Sequence, residues 1–484
     1  MAICASVWLL FTKGAPPTQS DIDAKALRAP KTAQPFRPLY PVDSHILSSI
    51  DMAKVHGQLL PAWTIALQHS PHSIGHRDAE SAFDALRAEA GKDPNLGILL
   101  DQLNEKLMDG VHDFRGEIPA LVNGWNEYLA QSGVPFRVEY HLEKTLRGAE
   151  LRVRCYRVVA DISVSAVSSR GHVLILARQD QTNLIEAFLG QTSTDRGTAL
   201  IMSDRIAEYA IDRLWPLFDV HNATPEPELI TRVRQEAHLA LGRPIVALLA
   251  RSFSVHRSLE TEVATLAQRR GCGAGLLIER VPWDGLSDRA LAMVNRIAQK
   301  NDRRRCSRVT LVDADRLSAI SRQLREHAEL SQALGTLAGW LTKAVVAHEV
   351  RHLADDVSTP DAAGVSLCRG CPESFDFKVR AEISAYLASF ETEGVGYVAL
   401  HQACGIEGDR RESHSTALEF LLPKLLVDGC AGPIPDDFYA RAAAVRAQLF
   451  GRIDKVPLPK NLPAVVPVRG QEHPDLPSGS VSTG

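Results

Sequence analysis

Between residues 44 and 129 apolar side chains recur at helical spacing, as in ILSSIDMAKVHGQLL and LGILLDQLNEKLMDGV, with Gly and Pro as breaks. That period predicts a block of packed helices. From residue 134 to about 176 the period changes to two (FRVEYHL, ELRVRCYRVVADISVSAV, HVLILAR), with turn signals at Arg147-Gly148 and at 168–171. Alternation of this kind predicts an antiparallel meander. Helical spacing returns over 183–251, broken by HNATPEPE at 221–228, and LLIERV at 276–281 reads as a strand after the turn GCGAG.

These patterns predict a predominantly helical α+β chain in five stretches: an apolar N-terminal segment and linker (1–42), a helical region (43–130), an antiparallel sheet with a helix (131–225), a C-terminal, mostly helical region (226–450) and a Pro-rich tail (451–484) expected to be disordered. At 484 residues the chain is long enough for more than one core. GCGAG is not spaced as GxGxxG, no GKS or GKT follows it, and no GxSxG elbow is present, so neither a phosphate loop nor a serine nucleophile is indicated.

Charge changes the picture by exclusion. Lys plus Arg number 54 against 58 Asp plus Glu, a net −4, which provides no global field for nucleic acid or anionic lipid. The basic run Arg303 to Arg305 reads as a solvated turn or helix end. The apolar run ICASVWLLF at 3–11 is too short to span a bilayer, and reads equally as a truncated export signal or membrane anchor and as a partly buried terminus. Of eight cysteines, Cys368 and Cys371 form a CxxC, Cys404 follows, and Cys272 and Cys306 bracket a segment. Bridges or inert thiols are expected from these, since three neighbouring cysteines fall short of a four-ligand zinc site. The expected setting is the cell envelope or the exterior, with the cytoplasm as the alternative.

The candidate chemistry lies in SQALGTLAGWLTKAVVAHEVRHLADD at 331–356. Leu334, Leu337, Leu341, Val345, His348 and His352 fall on one stripe of a helix, so both imidazoles face the same way and can converge on one ion. Glu349, turned away from that axis, is placed as a general base beside a metal-activated water, while Val350 faces the opposite side. Ser358 stands where an HExxHxxGxxH motif would need histidine. The third ligand is therefore sought elsewhere, and Glu382, on the stripe Val379, Glu382, Ile383, Tyr386, Phe390, is the expected one, because an unpaired carboxylate on an apolar face is expensive. Asp355 is the rival, better suited to orient an imidazole or to pair with Arg351 at i, i+4; Asp355 or Asp356 also reads as a plain helix-end acid. Tyr386, Tyr397, His401 and His414 are candidate donors to a developing oxyanion.

With His348-Glu349-Val350-Arg351-His352 and the downstream Glu382-Ile383-Ser384-Ala385-Tyr386, the sequence resembles the gluzincin class of zinc metallopeptidases over roughly residues 331–404. The resemblance implies a zincin-like catalytic region within 226–450, a bound Zn2+, and hydrolysis of a peptide or protein substrate. The competing expectations are a catalytically inactive, zinc-stabilised binding or scaffold protein of the cell envelope, and a metal-free interaction protein with a redox-active CxxC.

Overall fold

The computed structural model describes residues 36–67, 74–108, 117–145, 148–166, 169–180, 188–193, 197–219, 227–326, 328–358, 372–406, 412–426, 429–451, 458–459 and 462–465. The apolar run at 3–11, nearly all of the linker, the 221–226 turn, Cys368, Cys371, the side chain of Asp356 and most of the tail fall outside that set. Within it the chain is a predominantly helical α+β protein with one five-stranded mixed sheet.

The N-terminal helices are α1 (Ser44–Ser48), α2 (Met52–Lys54 continuing through a π turn, Val55–Leu59, into Leu60–Ala66), α3 (Ile74–Ala90), α4 (Pro94–Met108) and α5 (Glu117–Gln131). Their apolar faces close on one core, with Trp63, Leu86, Leu96, Leu100, Tyr128 and Leu129 fully buried. Val138, Val153 and Cys155 from the sheet complete it.

The predicted meander is present as β1 (Phe136–Thr145), β2 (Gly148–Ala166) and β3 (Ser169–Arg178), antiparallel throughout, with a register shift between Val158 and Ala160. Two further strands follow where helical spacing was expected: β4 (Gly190–Ser193) and β5 (Thr198–Met202). β5 runs parallel to β3 and antiparallel to β4, giving the order β1-β2-β3-β5-β4 with β4 at the edge. Alternation could not reveal them. β4 is four residues long, and every residue of β5 is buried, so it reads as a continuous apolar run.

Helices α6 (Ser203–Tyr209), α7 (Glu228–Leu241), α8 (Arg243–Gln268), α9 (Asp288–Arg303), α10 (Leu311–Glu326), α11 (Ala328–Ser358), α12 (Glu373–Phe390), α13 (Gly396–Cys404), α14 (Ser413–Leu425) and α15 (Phe438–Phe450) complete the fold. The expected strand at 276–281 is absent. Leu276 is buried, Leu277 exposed and Ile278 half-buried, so the chain alternates as an extended segment laid on helices without joining a ladder. Arg303 ends α9, and Arg304 and Arg305 follow it in an exposed turn, with Arg305 at a positive φ.

α11 is the axis of the larger core. The stripe Leu334, Leu337, Leu341 and Val345 is buried, and so are Ala338, Val346 and Val350 on its other sides. A helix apolar all round must be enclosed all round. Here β3, β4 and β5 lie against one side of α11, and α6, α7, α8, α12 and α13 pack around it. Leu458, Leu462 and Val465 pack on the same core, so this part of the tail is held against the protein. No described helix is long and apolar enough to cross a membrane.

Candidate metal centre

The C-terminal half of α11 meets the middle of α12 and the first turn of α14. His348 Nε2 and His352 Nε2 lie 3.2 Å apart, and Glu382 Oε2 lies 3.3 Å from the first and 3.5 Å from the second. Two donors 2.0–2.1 Å from one tetrahedral ion are separated by about 3.3–3.4 Å. The three atoms thus form one face of a zinc-sized tetrahedron.

A second observation tests the fit. Glu382 Oε2 is buried and accepts no hydrogen bond of acceptable geometry, although three imidazole nitrogens stand within 3.5 Å of it. A buried carboxylate oxygen without a donor is costly. Crowding without hydrogen-bond geometry is what ligands around a common centre produce. Burial alone would raise the Glu382 carboxyl, but the His414 and His352 charges outweigh it and hold the group well below the usual carboxylate range. At His352 burial acts to lower the imidazole, yet Glu382, Glu349 and Asp355 lift it to about 9. These opposed shifts mark a site where several basic and acidic groups share a small volume.

The third imidazole is that of His414, at the start of α14. Its Nδ1 is 3.0 Å from Glu382 Oε2 and 3.1 Å from the Tyr386 hydroxyl, and its side chain is 44% exposed at the mouth of the site. His348, Glu382 and His414 by themselves also group within 4.8 Å. The Tyr386 ring stands edge-on to His348, with centroids 4.8 Å apart. Burial, with the Glu382 and Glu349 charges, pushes its hydroxyl well above its ordinary range, so it stays a proton donor.

Glu349 points out of the ligand cluster toward the edge strand. Thr192 Oγ1 lies 2.7 Å from Glu349 Oε2 and donates to it, and lies 3.0 Å from the Glu349 carbonyl oxygen. Gly190, on the same face of β4, leaves the space the carboxylate occupies: a Cβ there would stand 2.7 Å from Glu349 Cγ and Oε1. Neither residue stood out in the sequence. The usable signal was GQTS followed closely by the apolar run TALIM.

Of the other expected residues, Asp355 pairs with Arg351, accepting from Nε at 2.7 Å and also from Nη2, and its charge reaches His352. Tyr397 is elsewhere, stacked on Phe438 and edge-on to Tyr439, and His401 sits half-buried on α13 near Arg213. Cys272 is bonded to Cys306 and Cys404 to Cys430, the second bridge spanning the helix that carries His414. Comparison with protein-family models, with curated proteins and with solved structures returns no match to this chain.

Proposed function

We propose that the chain is a zinc-dependent peptide hydrolase with a zincin-like catalytic region, in which His348 Nε2, His352 Nε2 and Glu382 Oε2 hold the ion. The observation that carries this reading is the triangle of 3.2, 3.3 and 3.5 Å among those atoms, closed around a carboxylate oxygen that accepts no hydrogen bond of acceptable geometry. Zinc supplies a Lewis acid that polarises a carbonyl and makes a water acidic enough to attack it near neutral pH.

The chain's own residues do the rest. Glu349, fixed by Thr192 and given room by Gly190, takes the proton of the attacking water and returns it to the leaving nitrogen, a role worth about 10²–10⁴-fold. Tyr386, protonated and next to His348, donates to the oxygen on which negative charge develops. β4 has β5 on one side and is the edge of the sheet, so an extended peptide can add to its outer side and present a carbonyl beside Glu349. Two disulfides suit an oxidising compartment, and the proposed setting is the cell envelope or the exterior.

Elemental analysis of purified protein, with hydrolysis of a quenched-fluorescent peptide library, tests the reading. One zinc per chain is expected, and Glu349→Gln should abolish cleavage while leaving zinc content unchanged. Folded protein that takes up no zinc, or cleavage that survives Glu349→Gln, would overturn it.

A further inference from the structure

A catalytic zinc site keeps a position free for water or substrate, whereas a four-ligand protein site is closed. In this chain a fourth nitrogen, His414 Nδ1, stands 3.0 Å from Glu382 Oε2 and groups with His348 and Glu382 within 4.8 Å. We propose that His414 is a displaceable fourth ligand of the same ion, through Nδ1, so that the resting centre is closed by three imidazoles and one carboxylate. This inference rests on the metal reading above and specifies its resting state.

Three observations carry it. First, His414 Nδ1 is 3.0 Å from Glu382 Oε2, as close as the two HExxH imidazoles are to that atom. The separations among His348, His352 and Glu382 and that from Glu382 to His414 all fall between 3.0 and 3.5 Å, the edge length of a zinc tetrahedron, and His414 also groups with His348 within 4.8 Å. Second, Nδ1 approaches Oε2 closely without the geometry of a good hydrogen bond, the arrangement two ligands of one ion would have.

Third, the nitrogen has somewhere to go. With 44% exposure, the nitrogen that leaves the ion can accept from water, so leaving exchanges a ligand bond for a hydrogen bond and keeps the Tyr386 hydroxyl, 3.1 Å away, for the developing oxyanion. His414 is also the most exposed of the four, 44% against 11–13% for the other side chains, and it sits on the first turn of α14 at the mouth of the site. Displacement therefore requires only a side-chain movement, with α14 held between the bridged Cys404 and Cys430. The consequence is a centre that stays shut until a ligand with affinity for the metal, such as a peptide carbonyl aligned on β4, takes the position.

Zinc-edge X-ray absorption on the zinc-loaded full chain counts the imidazoles. Three are expected in the unaltered protein and two in His414→Ala. Azide, read by the visible spectrum of the cobalt-substituted protein, should bind about tenfold or more tightly to His414→Ala, because a site that is mostly closed lowers apparent affinity by its open fraction. Two imidazoles in the unaltered protein, or equal azide affinity in both, would overturn the fourth-ligand assignment and leave the hydrolase reading standing. An unaltered protein that binds no zinc would remove both. The count on the unaltered chain decides the matter even if the variant is poorly folded.

Discussion

At the scale of single residues, the centre depends on where two carboxylates are held. Glu382 is held by its helix among three imidazoles, but Glu349 is held by a neighbouring strand, through one hydroxyl and one missing side chain. Adding a Cβ at Gly190 drives Glu349 or Val345 aside, since contacts of 2.7–2.8 Å cannot stand. A displacement of about 1 Å in a reacting group costs on the order of 10²-fold in rate. Gly190→Ala is therefore expected to lower peptide cleavage by about that factor with zinc content unchanged, as measured by initial rates and metal analysis. Thr192→Val should also slow cleavage and Thr192→Ser should restore it, because only the hydroxyl reaches Oε2. Equal rates in all of these would show that the edge strand does not hold the base.

At the scale of elements, α13 illustrates how a buried helix start is satisfied from outside. Val395, at its N-cap, provides no side-chain hydrogen bond. Glu236 of α7, itself buried, accepts from the backbone N–H groups of Tyr397 and Val398 at 3.1 and 3.0 Å and from the Tyr439 hydroxyl of α15. One carboxylate thus caps α13 and ties two other helices to it. Truncating it strands several buried donors at about 1–3 kcal/mol for each group left unpaired. Glu236→Ala is expected to lower unfolding stability by at least about 2 kcal/mol in a urea titration, with Glu236→Gln milder, since its amide oxygen can still accept.

At the scale of the whole molecule, the described residues form three apolar clusters, and the two larger ones both take residues from the sheet, one under β1 and β2 among the N-terminal helices and one around α11. The first contains a pH-sensitive group outside the candidate site. His56 is buried with both ring nitrogens committed: Nδ1 to the Met52 carbonyl at 2.8 Å and Nε2 accepting from Trp125 Nε1 at 3.3 Å. Burial, only partly offset by the Met52 hydrogen bond, lowers its pKa to about 4, against 6.5 for the free side chain. Below pH 6.5 the unfolded chain takes up a proton that the folded chain refuses. The stability that His56 contributes is intact above pH 6.5, falls as pH is lowered, and its loss is complete near pH 4 at about 3 kcal/mol. Thermal melts across that range should show the slope, and His56→Phe should flatten it even if it changes the melting temperature at pH 7. The hydrophobic pattern alone determined the helical blocks, the meander and the α11 stripe, because period and burial are local consequences of side-chain chemistry. It also marked His348, Glu349 and His352, since i, i+4 spacing on one helix is already a geometry, and it proposed Glu382 from the cost of an apolar carboxylate. Only the tertiary structure could bring α12 to α11, place His414 beside Glu382, and lay Gly190 and Thr192 against Glu349. Those contacts join residues up to 157 positions apart, and no local period encodes which distant surfaces pack together.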